Sequence, residues 1–487
     1  MSKKQANKRI YMDYCASTPL DPKVFKAMEP YFKGEFGNAG SLHSWGQAAI
    51  KAVDDAREKV ARAIGGQFEE IVFTGSATEA NNLALRGVVK QALLFQQTVF
   101  RNQNSFSPAA KLSFPSPQQL RHESESKLVE AVGYSSKQLS EIKHRPRIIV
   151  SAIEHESVLE TAKDLERKGV EVVYLPVDAR GVVDLHALQS ALNENTILVS
   201  IMYVNNVIGT IQPIVEISKI IKEFKEQTFL SKKSVSESER AWFRALREER
   251  GRELSGRTSG WASETPSFRE RKVSDSVYPL FHTDAVQAFQ YLDCNVWELN
   301  VDMMTLSAHK IEGPKGVGVL YTRVKLPGVI TGGEQEFKMR AGTPNTPGIA
   351  GFGKAVEIAV KERVKNRKKV YVLRAELLEG IKKVYPDAQW NGLDFESKRA
   401  RFAPHVANVF FPAHLAEDLL MQFDRAGVAV SAGAACSARA LKSSHVLQAI
   451  GCAPDRITCS IRFSLGRETT QEEVRKVVKR LRKIIKR

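Results

Sequence analysis

A primary amine placed where a strand ends, among small residues, is suited to forming a Schiff base with a carbonyl cofactor. Lys310 has that placement: it closes SAHK at 307–310, after the apolar run VDMMTLS and before the glycine-rich IEGPKG. The same four residues also read as a solvated surface lysine. Asp284 ends another apolar run, PLFHTD, 26 residues earlier. A carboxylate there can hold a pyridine nitrogen protonated, or simply cap a helix. TGSATEANN at 74–82 joins the run EEIVF to a helical stretch. Small residues and hydroxyls there surround the free backbone N–H groups of a helix start, which makes a cradle for phosphate; the alternative is an ordinary N-cap by Thr78. His155, in SAIEHESV, follows a third run and either stacks on a flat heteroaromatic ring or is a polar surface residue.

Each of these residues follows a short β-branched run, and such runs alternate with helical stretches. EEIVFTG leads to a helix from Thr78, RIIVSAI to a helix over 155–168, and ILVSIMYVNN to a helix from Pro213, with VEVVYLPV, PLFHTDAV, VDMMTLSAHK and GVGVLYTR as further strands. Apolar strands with helices between them predict an α/β fold with a mostly parallel sheet covered on both faces. Such open sheets bind ligands outside the carboxyl ends of their strands, which is where the four features fall. After residue 363 the pattern changes to a long helix over 364–385, strands around HVANVFF and AVSAGAA, then IRFSLGR and a terminal helix. This predicts a smaller α+β domain made of 364–487 and 1–15, the apolar strand at 10–13 joining it, beside a large domain of 16–363.

The chain has 487 residues, 43% of them hydrophobic, and a formal charge of +17. Five cysteines, at 15, 294, 436, 452 and 459, are too few and too irregular for a disulfide framework or a zinc ribbon, so no metal is expected and a reducing compartment is the default. No apolar run approaches the length of a membrane span, which points to a cytoplasmic protein. Residues 91–147 and 222–278 are rich in Ser, Gln, charge and scattered Pro and read as flexible surface insertions, with short helices at 124–132 and 239–252. Of the +17, +4 falls in 91–147, +3 in 222–278 and +8 in 474–487, which leaves +2 for the rest. The basic excess therefore belongs to appendages, and nucleic acid is not the expected partner.

Ten blocks in order along the chain carry a resemblance: DYCASTP (13–19), FGNAGSLH (36–43), FTGSATEANN, EHESV, NNVIGTIQP (205–213), HTDAVQ, SAHKIEGPKG, RAGTPNT (340–346), SAGAACSA (431–438) and SIRFSLGR (460–467). Together they resemble the cysteine desulfurases, pyridoxal-phosphate enzymes of the NifS/IscS-like group in the class V aminotransferase superfamily. The resemblance implies a fold type I PLP-dependent transferase, a homodimer, L-cysteine as substrate, and a protein acceptor for the sulfur, either an iron–sulfur scaffold or a tRNA-thiolation relay. It makes Lys310 the covalent anchor of pyridoxal phosphate, Asp284 the partner of the ring nitrogen, and His155 the residue that stacks on the ring and assists proton transfer. Ala77, Thr78, Ser307 and His309 would hold the phosphate, with Thr343 reaching the phosphate of the other subunit. Asn206 and Gln287 would contact the ring near its phenolic oxygen, and Arg462, with Asn206, would bind the substrate carboxylate. Cys436, in a run of small residues that permits a mobile loop, would be the nucleophile that takes the sulfur as a persulfide. The other four cysteines read as small buried hydrophobes.

Three positions depart from the pattern of the resemblance: Val207 stands where an acidic residue is common, Glu312 where an aromatic one is common, and Phe337 near a commonly basic or polar position. The sequence ends at Arg487, short of the extension with which housekeeping members dock their scaffold, so the acceptor stays open. A selenocysteine lyase or another class V enzyme would share Lys310, Asp284 and His155 but would not need Cys436. A binding protein with a relic PLP domain is the reading from a different class, and the full set of cofactor residues argues against it.

Overall fold

The computed structural model describes residues 9–104, 145–231, 278–392, 401–432 and 444–485, with the backbone alone at 95–104, 229–231 and 401. Cys436 and the helices expected at 124–132 and 239–252 lie outside the described residues. In chain order the strands are β1 (Ile10–Tyr11), β2 (Ile71–Thr74), β3 (Arg147–Ser151), β4 (Glu171–Leu175), β5 (Thr196–Ser200), β6 (Thr210–Ile211), β7 (Leu280–Asp284), β8 (Met303–Ser307), β9 (Gly318–Thr322), β10 (Gln389–Trp390), β11 (Arg401–Phe402), β12 (Val406–Phe410), β13 (Val428–Ala429) and β14 (Ser460–Ser464).

The large sheet has the order β2-β9-β8-β7-β5-β3-β4. Neighbours pair in parallel from β8 through β4, and β9 runs against both β2 and β8. Period-two alternation explains why the strands read as continuous apolar runs. Phe73, Ile149, Val199, Phe281 and Met304 point to a core shared with the helices Ser44–Ile64, Ile214–Ser231 and Thr346–Val384. Val72, Ile148, Leu198, Leu280 and Met303 point the other way, to the helices Ala77–Asn104 and Glu156–Arg167. The sheet is thus covered on both faces. A second antiparallel sheet, β10-β12-β14, packs against the far end of the helix Thr346–Val384 and the helix Gln471–Ile485, and β1 pairs in parallel with β13 beside it.

Three helix boundaries differ from the sequence expectation. The helices Ala77–Asn104 and Ile214–Ser231 run well into the segments expected as insertions. The long helix starts at Thr346 rather than near 364. Its first turns, PGIAGFGKA, have a poor helix propensity, but the glycines permit close packing. A Cβ on Gly351 would stand 2.6 Å from Met28 Cγ, and one on Gly353 2.8 Å from Ala56 Cα. Asn345 caps the start, its Oδ1 accepting the Gly348 N–H at 3.1 Å.

Val207 and Phe337 find packing roles and Glu312 an ion pair. Val207 is buried among Ile153, Met202, Ile208 and Leu447. Phe337 packs edge-on to Phe68 and lies beneath the Arg57 guanidinium at 5.0 Å. Arg57 also makes a bidentate pair with Glu336, both bonds 2.8 Å, which holds the left-handed turn of Glu336, Phe337 and Lys338. Glu312, itself at φ +62, pairs with Arg467.

One close approach positions the loop after β2. A Cβ on Gly318, at the start of β9, would lie 2.5 Å from the Ser76 carbonyl carbon and 2.7 Å from the Ala77 nitrogen. Gly318→Ala is expected to lower the unfolding free energy by about 1–3 kcal/mol through overpacking. An unchanged urea midpoint would show that the loop yields freely.

Candidate active site

The register of the large sheet delivers the chemistry to one edge. Asp284, the last residue of β7, stands opposite Thr305 in β8, and two residues later β8 gives way to the 3-10 turn Ala308–Lys310. Lys310 Nζ donates to the carbonyls of Cys15 (2.5 Å) and Ala16 (2.7 Å), and Gln287 Nε2 donates to the same Cys15 carbonyl at 3.1 Å. The N-terminal segment therefore folds over the lysine turn, and Thr18 seals it by bonding the His309 carbonyl and the Glu312 N–H.

Asp284 is buried, 6% exposed. Its Oδ1 accepts the Val286 N–H at 3.0 Å and its Oδ2 accepts Asn81 Nδ2 at 2.9 Å. Asn81 Nδ2 also donates to Ser157 Oγ at 2.8 Å, and Ser157 Oγ is 2.8 Å from His155 Nδ1. His155 is the N-cap of Glu156–Arg167, its Nδ1 accepting the Ser157 N–H at 3.1 Å. Since that backbone group can only donate, Nδ1 carries a lone pair and the neutral ring carries its proton on Nε2. Burial, the largest influence, holds the imidazole below its usual pKa; Asp284 opposes this and Lys310 adds to it.

At the start of Ala77–Asn104 the cap is Ser76, not Thr78: Ser76 Oγ accepts the Glu79 N–H at 3.1 Å, and Glu79 accepts the Gly75 N–H at 2.8 Å. The first-turn N–H groups of Ala77 and Thr78 point out of the helix end, as an anion site requires. Ala77 is half-buried and Thr78 exposed. Beside them a cavity of about 210 Å³ is lined by Ala16, Ser17, Ser76, Ser307, His309, Lys315, Gly316 and Val317. Burial, then Lys310 and Lys315, lower the His309 pKa to about 4, so at neutral pH the ring contributes hydrogen bonds while Lys315 brings charge.

Arg462 in β14 is buried, with 1% of its side chain exposed. One Nη donates to Asp13 Oδ1 at 2.7 Å and the other to the Asn206 carbonyl at 3.0 Å, and its buried Nε has no protein partner. Asn205 presents Asn206 by accepting the N–H groups of Val207 and Ile208. His405 stacks on Tyr291 at 4.6 Å with Nε2 3.2 Å from Gln287 Oε1. Burial brings its pKa down to about 3, so neutral His405 donates to that oxygen and fixes the Gln287 amide. Thr343 is exposed in the turn before Thr346–Val384, apart from the cavity lining. Cys15, Cys294 and Cys459 are buried and Cys452 is half-buried. Burial raises the thiol pKa of Cys15 and Cys452, and that of Cys294 to about 12.

Asn81, Ser157, Asp13, Lys315 and His405 are the participants that residue-by-residue reading missed. Asn81 alone had a visible signal: a polar residue on the Ala80, Ala84, Val88 face of a helix that must pack on a sheet.

The donor set fits a phosphorylated pyridine aldehyde. A helix N-terminus and a hydroxyl-lined cavity suit its phosphate, a buried carboxylate suits its ring nitrogen, and a primary amine stands between them.

The aminotransferase class-V family model matches residues 10–102, 128–231 and 269–477. The chain is 36% identical over 480 residues to "Cysteine desulfurase IscS" of Dictyoglomus turgidum, spanning 98% of this chain and 95% of that one. It is 34% identical over 482 residues to "Putative cysteine desulfurase IscS 1" of Bacillus subtilis, spanning 98% and 99%. Among solved structures, "NIFS-LIKE PROTEIN" superposes with a TM-score of 0.71 at 30% identity, over 98% of this chain and 99% of that one. "SspA in complex with cysteine" does so with 0.64 at 28%, over 95% and 100%. The chain belongs to the aminotransferase class V family and, within it, to the NifS/IscS-like cysteine desulfurases.

Glu154, next to His155, is fully buried. Its Oε1 accepts Ser151 Oγ (2.6 Å) and the Met202 N–H (2.8 Å), while Oε2 has no partner. Burial pushes its pKa up to about 8. The folded chain keeps this proton while the unfolded chain releases it near the ordinary carboxylate value, so stability falls as pH rises from about 5 to 8. Glu154→Gln should flatten that decline, seen as a smaller difference between urea midpoints at the two ends of the window. An equal decline in both proteins would show that Glu154 ionises freely.

Proposed function

We propose that this protein is a pyridoxal-phosphate-dependent cysteine desulfurase, converting L-cysteine to L-alanine and placing the sulfur on Cys436 as a persulfide. The observation that carries the reading is the convergence of Lys310, Asp284 and His155 on one sheet edge, faced by Arg462, a buried guanidinium with an unpartnered Nε. A related solved structure is described as SspA in complex with cysteine.

Pyridoxal phosphate, when bound, supplies an electron sink for charge developing at the substrate α-carbon. Lys310 would be its anchor, the Asp284 carboxylate would pair with its ring nitrogen, and the N–H groups of Ala77 and Thr78, with Ser307 and His309, would hold its phosphate. Gln287, oriented by His405, and the Asn206 side chain approach the phenolic edge. Arg462 binds the substrate carboxylate, for which a planar guanidinium suits better than an ammonium. The Lys310 amine would take and return the substrate α-proton, with His155 assisting. The Cys436 thiolate then attacks the substrate sulfur. An S–S bond forms as the Cβ–S bond breaks, the electron pair stays on the carbon, and a proton completes the methyl group of alanine.

Residues 16–363 act as the cofactor-binding body, with 1–15 and 364–487 as the smaller one that brings Arg462 and Cys436. The working form is a homodimer in which Thr343 reaches the phosphate of the second subunit. A cluster of exposed apolar residues supports this: Phe25, Phe32, Phe36, Leu42 and Trp45, of which Leu42 is 92% exposed. The protein works in the cytoplasm and passes sulfur to a protein acceptor, a scaffold or a thiolation relay. Among the described residues no helix is long and apolar enough to cross a membrane.

Cys436→Ser is expected to keep its cofactor absorbance, lose the cysteine-dependent mass increase of one sulfur atom, and fall at least about 100-fold in sulfide release, the scale of losing a nucleophile. Sulfide release at the wild-type rate would remove Cys436 from the mechanism.

A further inference from the structure

The polar chain from Asp284 to His155 runs through a residue with no assigned role. Asn81 is fully buried, and its one amide nitrogen donates to both Asp284 Oδ2 (2.9 Å) and Ser157 Oγ (2.8 Å). Ser157 is in turn bonded to His155 Nδ1. The amide orientation is set by charge: turning it over would press Oδ1 against the Asp284 carboxylate. As it stands, Oδ1 is buried without a partner. A leucine of similar shape would spare that unsatisfied oxygen, so packing alone does not account for an asparagine here.

The helix makes the placement rigid. Asn81 lies four residues after Ala77 in Ala77–Asn104, about 6 Å along the axis at the α-helical rise. One helix thus offers its N-terminal N–H groups at one end of the site and, a turn further on, the amide that holds the carboxylate and the imidazole. With the Ser157 oxygen accepting from Asn81, the Ser157 hydroxyl hydrogen is left to His155 Nδ1, beside the backbone N–H that bonds the same atom.

We infer that Asn81 is a positioning residue that fixes the Asp284 carboxylate and the His155 ring, across two strands, in the orientation that binds the pyridine cofactor. It rests on the pyridoxal-phosphate reading above and extends it to a residue that touches neither cofactor nor substrate. Removing the donors leaves Asp284 Oδ2 free to rotate away and Ser157 free to turn, without emptying the core.

The test uses the full chain as wild type, Asn81→Leu, Asn81→Asp and Ser157→Ala, with pyridoxal phosphate as the probe. Equilibrium affinity and the pH titration of the bound cofactor's visible band are the readouts, alongside the thermal midpoint of the cofactor-free protein. Asn81→Leu is expected to bind pyridoxal phosphate about 10- to 100-fold more weakly, the scale of a hydrogen bond to a charged group, with a shifted titration of the band and a thermal midpoint close to wild type. Asn81→Asp keeps the shape but supplies no donor pair, so it should weaken binding by at least as much; it stands as the test should the leucine variant not fold. Ser157→Ala leaves the Asn81 to Asp284 bond and the backbone N–H on His155 Nδ1 in place, so it should hold affinity within about threefold while the lost hydroxyl link to His155 shifts the titration of the band. Wild-type affinity and titration in the Asn81→Leu or Asn81→Asp protein would overturn the inference, as would a lower thermal midpoint with neither cofactor readout moved. A wild-type protein that develops no visible band with pyridoxal phosphate would instead overturn the cofactor reading on which it rests.

Discussion

The parallel register of β7 and β8 is the constraint on which the site depends. Asp284 stands beside Thr305, and the chain leaving β8 reaches Lys310 one short turn later. Backbone hydrogen bonds of the sheet, rather than any contact between the two side chains, therefore bring an anion and an amine to one edge. A slip of one residue would turn one strand over relative to the other and exchange the side chains it gives to the two cores. In β7 that exchange would swap Leu280 and Phe281 between opposite cores, and their difference in size and shape opposes it. The cores thus specify the chemistry as well as the fold.

Around that edge the rest of the molecule supplies orientation. The segment 13–18 crosses the lysine turn, receiving Lys310 on two carbonyls and placing Asp13 against Arg462. Arg462 is carried by β14 in the second sheet, so this segment, bonded to Arg462 through Asp13 and to Lys310 through the carbonyls of Cys15 and Ala16, links the two sheets where the substrate carboxylate would bind. Charge inside the site is sparing. His309 and His405 are held neutral by burial and serve as hydrogen-bonding groups. Among the described residues Lys310, Lys315 and Arg462 bring positive charge to the site, which matches a site for a phosphate and a carboxylate.

Much of this was legible in the sequence because strand-end chemistry and apolar alternation are local signals. The class of the sheet, the order of its strands along the chain and the positions of Lys310, Asp284 and His155 all followed from runs of four or five residues. The start of Thr346–Val384 did not, since its glycines are poor helix formers whose value lies in contacts with Met28 and Ala56, more than 290 residues away in sequence. Asp13 and His405 were hidden for the same reason, and Asn81 showed only as a polar residue on an apolar helix face, without its partner. Each acts through bonds to residues far along the chain: Asn81 to Asp284 and Ser157, Asp13 to Arg462, His405 to Gln287. Spacing carries no trace of such partners. The cap at Ser76 in place of Thr78 shows a smaller limit, a choice between two hydroxyls that Glu79 decides by bonding the Gly75 N–H.

The central claim is that the edge formed by β7 and β8 performs sulfur removal from cysteine. Incubating the purified chain with pyridoxal phosphate, L-cysteine and a thiol reductant, and quantifying amino acid and sulfide together, tests it most directly. The account predicts alanine and sulfide in equal amounts from the wild type, and neither from Lys310→Ala. Pyruvate in place of alanine, or turnover undiminished in Lys310→Ala, would contradict it.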